Sequence, residues 1–448
     1  MKKKLLSMCL GLLFCGSAMA QMEILYDGAS LTTTTLTDGT TLVQFPEDVV
    51  FNTTDFQNKI SVTVDGSSVA NNAIIPNPAT TFITENEIET FVYGGKAYSF
   101  RFTAGEYFTV VMFSDPHVDT ETEQTEIAAK TAYLAAIGTE GGASYTFSSL
   151  PGYTPKADIV FCLGDMDEDK EQDADNPGDY FKGATAVFHN NGIPFITLAG
   201  NHDITTDYWD NGTEKGMTWG VNDGGQYYTE QSLDVVADVY NTAASDGGFT
   251  VTTIKGTSGA DNEPGHFTFK YKGVRFYCAN NYWWQKPWDS PSLVSDAEYY
   301  SAQSTVDALE DVVQENINDA SIWLSHFPFK TSGSTPNERW WLDQNNTGNA
   351  ILPSDGNALY YTSDAYTTDG ETIADNKRGY VADVITQSKN PVHFSGHAHQ
   401  FGVETITKGT SGKSFKDYTV DAIEEANAAY IVLCKSGVGV IEVKQITW

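Results

Sequence analysis

Three of the eight histidines in this 448-residue chain fall within seven positions: His393, His397 and His399. His397 and His399 are two residues apart, so on an extended backbone their side chains project to the same side. Two imidazoles on one side can bind a metal ion, or they can be ordinary surface residues. The rest of the sequence is needed to choose between these interpretations.

Polar side chains follow five apolar segments of the chain. The five blocks are D-P-H at 115–117, G-D at 164–165, G-N-H-D at 200–203, His326, and G-H-A-H at 396–399. Each apolar segment is predicted to be a buried strand. One such block is a weak signal, but five at equivalent positions indicate a shared site. Imidazole, carboxylate and amide groups without thiolate are a donor set for Mn, Fe or Zn.

The order of predicted elements indicates an α/β sheet with crossover helices. Strands and helices alternate from 106 to 203, and a hairpin is predicted to turn at Lys272 and Gly273. A strand before His326 and a helix and strand up to 401 follow, then two tail strands that are expected to complete the sheets. Residues 204–265 and 330–376 are predicted to be polar excursions. Ligands of such sheets bind beyond the carboxyl ends of the strands, where the five blocks lie.

The five blocks resemble those of the calcineurin-like metallophosphoesterases, whose pattern is D-x-H, G-D, G-N-H-D/E, H and G-H-x-H. The resemblance covers roughly 106–400, with all blocks intact and in order. It implies a four-layer αββα sandwich, two metal ions and hydrolysis of phosphate esters. A hydroxide that bridges the two cations would attack phosphorus in line, without a covalent phosphoenzyme.

The resemblance also implies a role for each block residue. One ion would be held by Asp115, His117, Asp165 and His399, and the second by Asp165, Asn201, His326 and His397. His202 would be the catalytic imidazole, with Asp203 orienting it, and Asn201 and His202 would contact the substrate. Gly164, Gly200 and Gly396 would allow the backbone to approach the metals.

Some residues outside the blocks remain open to two interpretations. Arg339 is a candidate for phosphate binding, because guanidinium pairs bidentately with phosphate, or it forms a structural ion pair. The tryptophans at 283, 284, 288, 340 and 341 could line a substrate site or form a core or lid. His393 matches no block and is predicted to be structural. Glu168 stands where purple acid phosphatases have a tyrosine, so an Fe(III)–tyrosinate centre is not expected.

The net charge of −33 excludes one class of partner. Binding of nucleic-acid polymers requires a basic surface, so a small phosphorylated substrate is expected instead. Nothing in the sequence indicates an oligomeric state. Cys162, Cys278 and Cys434 lie in apolar strand-like segments and are predicted to be buried, although one disulfide is possible.

The N-terminal residues predict an exported protein, either periplasmic or secreted. Residues 1–20 have the basic, apolar and small-residue regions of a signal peptide, and a lipid anchor at Cys15 is disfavoured because Phe14 precedes it. No later segment is apolar enough to span a bilayer. Residues 21–104 show short alternating runs that predict a small all-β sandwich domain, and 105–448 are predicted to form the metallophosphoesterase domain.

Two questions about function stay open at this stage. The turns SDPHVD and HFSGHAHQF resemble those of sphingomyelinase-like and cyclic-nucleotide phosphodiesterases, which favours a phosphodiester slightly over a phosphomonoester. The alternative to an enzyme is a non-catalytic exported glycan-binding or surface protein that retains structural metals. The intact blocks favour the enzyme.

Overall fold

The chain divides into two compact units, Met1–Ala104 and Gly105–Trp448. The computed structural model describes residues 22–69, 83–166, 178–200, 203, 205–210, 213–219, 227–254, 266–279, 308–326, 328, 381–407 and 413–448. The predicted signal peptide lies outside these ranges. Within them, no helix has the length and apolar character needed to cross a membrane.

The described part of the first unit contains two four-stranded sheets around one apolar core. Its strands are β1 (Met22–Tyr26), β2 (Ala29–Ser30), β3 (Thr32–Thr35), β4 (Thr41–Phe45), β5 (Ile60–Val64), β6 (Ser67–Val69), β7 (Ile88–Tyr93) and β8 (Lys96–Ala104). The sheet orders are β2-β1-β5-β6 and β3-β4-β8-β7. In β5, Ile60, Val62 and Val64 are buried while the residues between them are half-buried, as expected for a strand that covers a core with one face.

One element of this unit, helix α1 (Thr54–Lys59), is not predicted by the alternating pattern. The hydroxyl of Thr53 caps it by accepting a hydrogen bond from the Phe56 amide at 3.1 Å. Phe56 packs into the same core as Val62 and Phe102. Six residues make fewer than two helical turns, which is too short for a helical period to appear in the sequence.

The described part of the second unit contains two larger mixed sheets and a small hairpin. Its strands are β9 (Tyr107–Phe113), β10 (Ile159–Cys162), β11 (Phe195–Thr197), β12 (Thr205–Asp210), β13 (Thr213–Trp219), β14 (Val251–Thr253), β15 (Phe267–Tyr271), β16 (Val274–Cys278), β17 (Ala320–Leu324), β18 (Lys389–Ser395), β19 (Gly402–Thr407), β20 (Ser414–Thr419), β21 (Ala428–Lys435) and β22 (Gly439–Thr447). One sheet has the order β11-β10-β9-β21-β22 and the other β14-β15-β16-β17-β18-β20-β19, while β12 pairs with β13.

Helices cover these sheets from outside. They are α2 (Glu121–Ala135), α3 (Asp179–Asn190), α4 (Tyr227–Gly247), α5 (Val381–Gln387) and a helical segment at 308–315. Phe161 of β10 stacks on Phe276 of β16 across the two sheets, with ring centroids 5.3 Å apart. Phe113 of β9 faces the other way and stacks on Phe188 of α3 at 6.3 Å. The predicted α/β fold class is therefore confirmed, with two packed sheets between helices.

Hydrogen bonds between parallel strands continue past the strand ends into the loops. β9, β10 and β11 run parallel, as do β16, β17, β18 and β20. Beyond β9, the amide of Asp115 donates to the Gly164 carbonyl at 3.1 Å. Beyond β18, the amide of Gly396 donates to the His326 carbonyl at 2.8 Å. The backbone itself thus draws the loops after four strands toward one edge.

Several described elements of the second unit differ from the sequence-based expectation, including β12, β13 and β14 in the predicted excursion at 204–265 and β19 after the last block. Helix α4 lies in the segment predicted to be a polar excursion. Among its described side chains, Val235, Val236 and Ala243 are buried. Strand β20 was also missed, because its inward-facing positions include Asp417, whose charge hides the alternation. The tail strands β21 and β22 complete the five-stranded sheet as predicted.

The predicted hairpin and the predicted cysteine environment are confirmed. β15 and β16 pair around Lys272 and Gly273, whose φ angles of 43° and 74° are typical of a two-residue hairpin turn. Cys162, Cys278 and Cys434 are free thiols, and all three are buried. Their role is to pack in the two sheets.

His266, at the start of β15, is a buried polar residue of the second unit. Its side chain is 1% exposed, and neither ring nitrogen has a hydrogen-bond partner in the described part of the chain. Burial disfavours the charged imidazolium and lowers the pKa of His266 to about 3.

We expect this imidazole to make the fold sensitive to acid. The unfolded chain binds a proton at His266 below a pKa of about 6.5. The folded chain does not bind it above about pH 3. The contribution of neutral His266 to the free energy of unfolding is therefore fully present above pH 6.5. It decreases as the pH falls, and at pH 5 it is about 2 kcal/mol smaller. Urea unfolding of wild type and His266→Phe at pH 7 and pH 5 tests this. The loss between the two pH values should be about 2 kcal/mol smaller in the variant, and an equal loss contradicts the expectation.

Candidate metal centre

The predicted metal ligands that the structure describes follow the carboxyl ends of four strands, two in each of the larger sheets. Asp115 and His117 come after β9, Asp165 after β10, His326 after β17, and His397 and His399 after β18. Asn201, His202 and Arg339 lie outside the described residues, as do Glu168 and the five tryptophans at 283, 284, 288, 340 and 341.

The ligand atoms of these residues form two groups, within each of which all atoms lie no more than 4.8 Å apart. The first triad is Asp115, His117 and His399, and the second triad is Asp165, His326 and His397. Residues separated by up to 284 positions in the chain thus meet in two adjacent sets of donors.

Distances in the second triad suit a single ion. Asp165 Oδ2 lies 3.0 Å from His326 Nε2, which lies 3.2 Å from His397 Nδ1. Two ligands at about 2.1 Å from one cation are about 3 Å apart at neighbouring octahedral positions. In a tetrahedral site the separation is about 3.4 Å. The donor atoms are therefore close enough together to share one cation.

The first triad lies beside the second, with Asp165 close to both. Asp115 Oδ1 is 3.4 Å from His399 Nε2, and the imidazole rings of His117 and His399 have centroids 5.6 Å apart. Asp165 Oδ2 is also 4.0 Å from His117 Nε2. A carboxylate that reaches members of both triads has the position that a bridging ligand requires.

Five of these residues have backbone conformations that non-glycine residues seldom adopt. The φ angles are 53° at Asp115, 41° at His117, 52° at Asp165, 63° at His397 and 46° at His399. Left-handed conformations cost about 1–3 kcal/mol each and persist only where the surrounding structure fixes them. Hydrogen bonds of the loops supply that restraint, including one from the His397 amide to Asp115 Oδ2 at 3.0 Å.

Glycines leave the space that these side chains occupy. A Cβ at Gly396 would collide with Ser114 Oγ and lie 2.7 Å from Asp115 Oδ2. At Gly164, where φ is 108°, a Cβ would lie 2.6 Å from His326 Nδ1. Both positions therefore require glycine for close approach of the backbone to a side chain of the site.

The second ring nitrogen of two histidines is held by an acceptor. His326 Nδ1 lies 2.9 Å from the Leu163 carbonyl oxygen, and His399 Nδ1 lies 2.8 Å from Glu425 Oε1. Carbonyl and carboxylate oxygens only accept, so each Nδ1 carries the proton and donates. When either ring is neutral, Nε2 is therefore the nitrogen with the lone pair, the tautomer that a metal ligand needs, and without metal Nε2 can carry a proton toward a carboxylate of the site.

The site is built to hold positive charge. Asp115 and Asp165 are at most 1% exposed. Burial raises the pKa of Asp115, but the hydrogen bond from His399 and the charge of His326 hold it below its usual value. Burial lowers the pKa of His326, but Asp165 outweighs it and raises this pKa to about 9. The hydrogen bond to Asp115 raises the pKa of His399 to about 10. Without metal, protons on His326 and His399 therefore balance the negative charge of the two buried aspartates.

Asp203 joins two of the blocks. Its carboxylate is buried and accepts hydrogen bonds from the Met166 amide at 2.9 Å and from the Gly200 amide at 2.6 Å. These contacts fix the loop after β10 against the loop after β11. The predicted orientation of His202 by Asp203 involves a residue outside the described ranges and stays a prediction.

His393 has a buried position with two polar partners. Its Nδ1 lies 2.7 Å from Asp417 Oδ1, and its Nε2 lies 2.7 Å from Ser325 Oγ. The imidazole therefore links strands β18 and β20 with the end of β17. The contacts agree with the structural role that the sequence predicts for His393.

Two glutamates near the first triad are not predicted by the sequence. Glu424 Oε1 is 3.8 Å from His117 Nε2, and Glu425 contacts His399 as described above. They lie in IEEAN, which reads as an ordinary solvated turn without histidine or glycine. Tertiary contacts such as the pairing of Ala422 with Ser114 bring this turn to the site, so no local pattern could have shown it.

Comparison with known proteins identifies a matching family. The sequence profile described as calcineurin-like phosphoesterase matches residues 108–401. Among curated proteins, none matches the chain by sequence.

Several solved structures are similar to the chain at low identity. A dimetal phosphatase from Danio rerio is 11% identical with a TM-score of 0.37, and the match covers 76% of this chain and 99% of that one. The purple acid phosphatase PPD1 from yellow lupin (Lupinus luteus) seeds is 13% identical with a TM-score of 0.34, covering 96% and 69%. A 5'-nucleotidase precursor from Thermus thermophilus is 12% identical with a TM-score of 0.34, covering 76% and 54%.

We expect Gly396→Ala to weaken metal binding, because its methyl group displaces Ser114 and Asp115. Titration of metal-free protein with Mn²⁺ should show at least a tenfold loss of affinity, the range seen when the surroundings of metal ligands are disturbed. Gly141→Ala is the control, since a Cβ at Gly141 meets no atom within 4 Å although its φ is 83°. The control should lose some stability to backbone strain and keep its affinity. If Gly396→Ala and Gly141→Ala bound Mn²⁺ with equal affinity, the absence of a side chain at Gly396 would not be needed for metal binding.

Proposed function

Since the chain belongs to the calcineurin-like phosphoesterase family and is therefore a metal-dependent phosphoric ester hydrolase, we propose that it hydrolyses small phosphodiesters with two metal ions bound at the two triads. The observation that supports this most directly is the position of Asp165. Its Oδ2 is 3.0 Å from His326 Nε2 and 4.0 Å from His117 Nε2, so one carboxylate reaches both triads.

The proposed ligand sets extend the triads by the shared aspartate and one amide. They are Asp115, His117, Asp165 and His399 for the first ion, and Asp165, Asn201, His326 and His397 for the second. The donors are imidazole nitrogens with carboxylate and amide oxygens, which supports Mn, Fe or Zn as the bound metals. Such a pair of cations supplies Lewis acidity toward phosphoryl oxygens and lowers the pKa of bound water.

The proposed reaction is a direct in-line displacement by water, without a covalent enzyme intermediate. His202 is proposed to contact the phosphoryl group and to donate a proton to the leaving oxygen, because it stands next to a proposed ligand. Asp203 is proposed to orient it. Asn201 and Arg339 are proposed as further contacts to the phosphate, the latter through bidentate pairing.

The preference for a diester rests on the loops that contain the ligands. The segments SDPHVD and HFSGHAHQF resemble the turns of sphingomyelinase-like and cyclic-nucleotide phosphodiesterases. The net charge of −33 opposes binding of long polyanions, which supports a small substrate.

We also propose that the protein is exported to the periplasm or secreted. Residues 1–20 have the composition of a signal peptide, which supports export. In this proposal residues 21–104 form an N-terminal β-sandwich domain and residues 105–448 the phosphoesterase domain. The division of the chain after Ala104 is compatible with that arrangement.

We expect hydrolysis of both bis-p-nitrophenyl phosphate and p-nitrophenyl phosphate with Mn²⁺, with a higher kcat/KM for the diester. Asp165→Asn should lower kcat by about 100-fold or more, because the bridging charge is lost. Asp238→Asn is the matched control: it is the same change at an exposed residue that pairs with Lys182 at 3.2 Å, and it should keep the wild-type rate.

Three outcomes contradict parts of this proposal. A higher kcat/KM for the monoester would refute the diester preference alone. A fully active Asp165→Asn would refute the bridging role. No turnover of either ester with Mn, Fe or Zn would refute the proposed substrates and favour the alternative, an exported glycan-binding protein with structural metals.

Removal of metal should lower the stability of the second unit. Ions that bind only the folded chain stabilise it by mass action, by about 2.7 kcal/mol for one site at 100 times its Kd. Thermal unfolding after chelation and after stepwise return of Mn²⁺ tests this. The Tm should rise with free Mn²⁺ concentration, whereas Mg²⁺ at equal ionic strength controls for screening. A Tm independent of Mn²⁺ would contradict a resident metal centre.

A further inference from the structure

We propose that Glu425 is a positioning residue of the metal centre, whose carboxylate holds the imidazole of His399 with Nε2 toward Asp115. The inference deepens the proposed function, since it assumes that the first triad binds a metal ion. Residue 425 lies outside all five sequence blocks, between β20 and β21.

The contacts of His399 define this role. Its Nδ1 is 2.8 Å from Glu425 Oε1, and its Nε2 is 3.4 Å from Asp115 Oδ1. Glu425 therefore accepts a hydrogen bond from Nδ1–H, so that in the neutral ring the lone pair of Nε2 faces the position between His399 and Asp115. A carboxylate behind a ligating imidazole fixes the tautomer and the ring orientation and makes the ligand more basic.

The turn that carries Glu425 is held by hydrogen bonds, one of them to a residue next to the metal centre. The Ile423 amide donates to the Ser114 carbonyl at 2.9 Å, and Ser114 directly precedes Asp115. From α2, Lys130 Nζ donates to the carbonyls of Ile423 at 2.6 Å and Glu424 at 2.8 Å. Ala422 and Ile423 are fully buried. Glu425 is thus tied to the same loop that supplies the first ligand.

The exposure of Glu425 separates a positioning role from a stabilising one. Its side chain is 61% exposed, and that of His399 is 31% exposed. Exposed ion pairs of this kind add little to the stability of a fold. A variant at 425 should therefore fold like wild type, so any change in metal binding reports on His399.

The two triads differ in how their histidines are held. In the second triad, His326 is fully buried and its Nδ1 donates to the Leu163 carbonyl, inside the sheet. In the first triad, a side chain from a surface turn does the same for His399. A change at Glu425 should therefore affect one of two bound ions and leave the other in place.

The experiment measures metal binding, without substrate, in the full chain. Metal-free wild type, Glu425→Gln and Glu425→Ala are titrated with Mn²⁺ by calorimetry, and bound manganese is counted after gel filtration. In Glu425→Ala one of two sites should weaken by about 10- to 100-fold. Glu425→Gln should weaken it less, because the amide oxygen can still accept the hydrogen bond from Nδ1–H. The second site should stay within about twofold.

Asp421→Asn is the matched control. It removes the same charge from the same turn, and its Oδ1 accepts from the Ala422 amide at 3.0 Å, which an asparagine can also do. Because the charge of Asp421 also acts on His399 and Asp115, this variant measures the effect of charge alone, and its loss of Mn²⁺ affinity should be clearly smaller than that of Glu425→Ala. Thermal unfolding of the metal-free variants shows whether each is folded. If Glu425→Ala does not fold, Glu425→Gln decides, and its weaker site must still differ from that of Asp421→Asn.

Three results would overturn the inference. They are unchanged affinities in the folded Glu425 variants, an equal loss in Asp421→Asn, which would assign the effect to charge alone, and an equal loss at both sites. The result is separable from the proposed function. If Glu425→Ala loses one ion but the wild-type protein hydrolyses no ester, only the proposed function is refuted. If the wild-type protein is an active esterase but the Glu425 variants bind metal normally, only the role of Glu425 is refuted.

Discussion

The buried carboxylate of Asp165 is the group on which the arrangement of the site depends. It is 1% exposed, and such a charge is tolerated in a protein interior only with positive charge or strong donors close by. His326 at 3.0 Å and His117 at 4.0 Å approach it from two directions. The need to neutralise this aspartate is a physical reason why histidines from distant segments converge on one point. It also explains why protons or cations must accompany them.

The two-sheet architecture makes this convergence possible. Asp165 follows β10 of the five-stranded sheet and His326 follows β17 of the seven-stranded sheet, and apolar contacts such as that of Phe161 with Phe276 hold the two sheets together. Hydrogen bonds that continue the parallel ladders beyond the strands then set the loops, as between Asp115 and Gly164. The site is therefore a product of sheet packing, and no single block could form it alone.

Much of this could be predicted from sequence because buried strands and their polar ends leave local signals. Continuous apolar runs such as YFTVVMF gave the strands, and Asp115 or His326 at their ends marked the site edge. Other parts depend on tertiary contacts. The turn with Glu425 shows no local sequence signal, because the pairing of Ser114 with Ala422 brings it to the site. Strand β20 was missed because Asp417 interrupts its apolar alternation, and the partners of this buried charge, His393 and Ser395, lie on another strand. Helix α1 is too short to show a period.

The left-handed backbone at five positions of the site limits how this sequence can vary. After glycine, the residues that adopt such φ angles most readily are asparagine, aspartate and histidine. All three are also metal ligands through oxygen or nitrogen. Glutamate or cysteine could coordinate a cation at Asp115 or His397, but each would first have to overcome a conformational penalty of about 1–2 kcal/mol. Backbone shape therefore narrows the evolutionary choice of side chains at these loops before coordination chemistry acts on it.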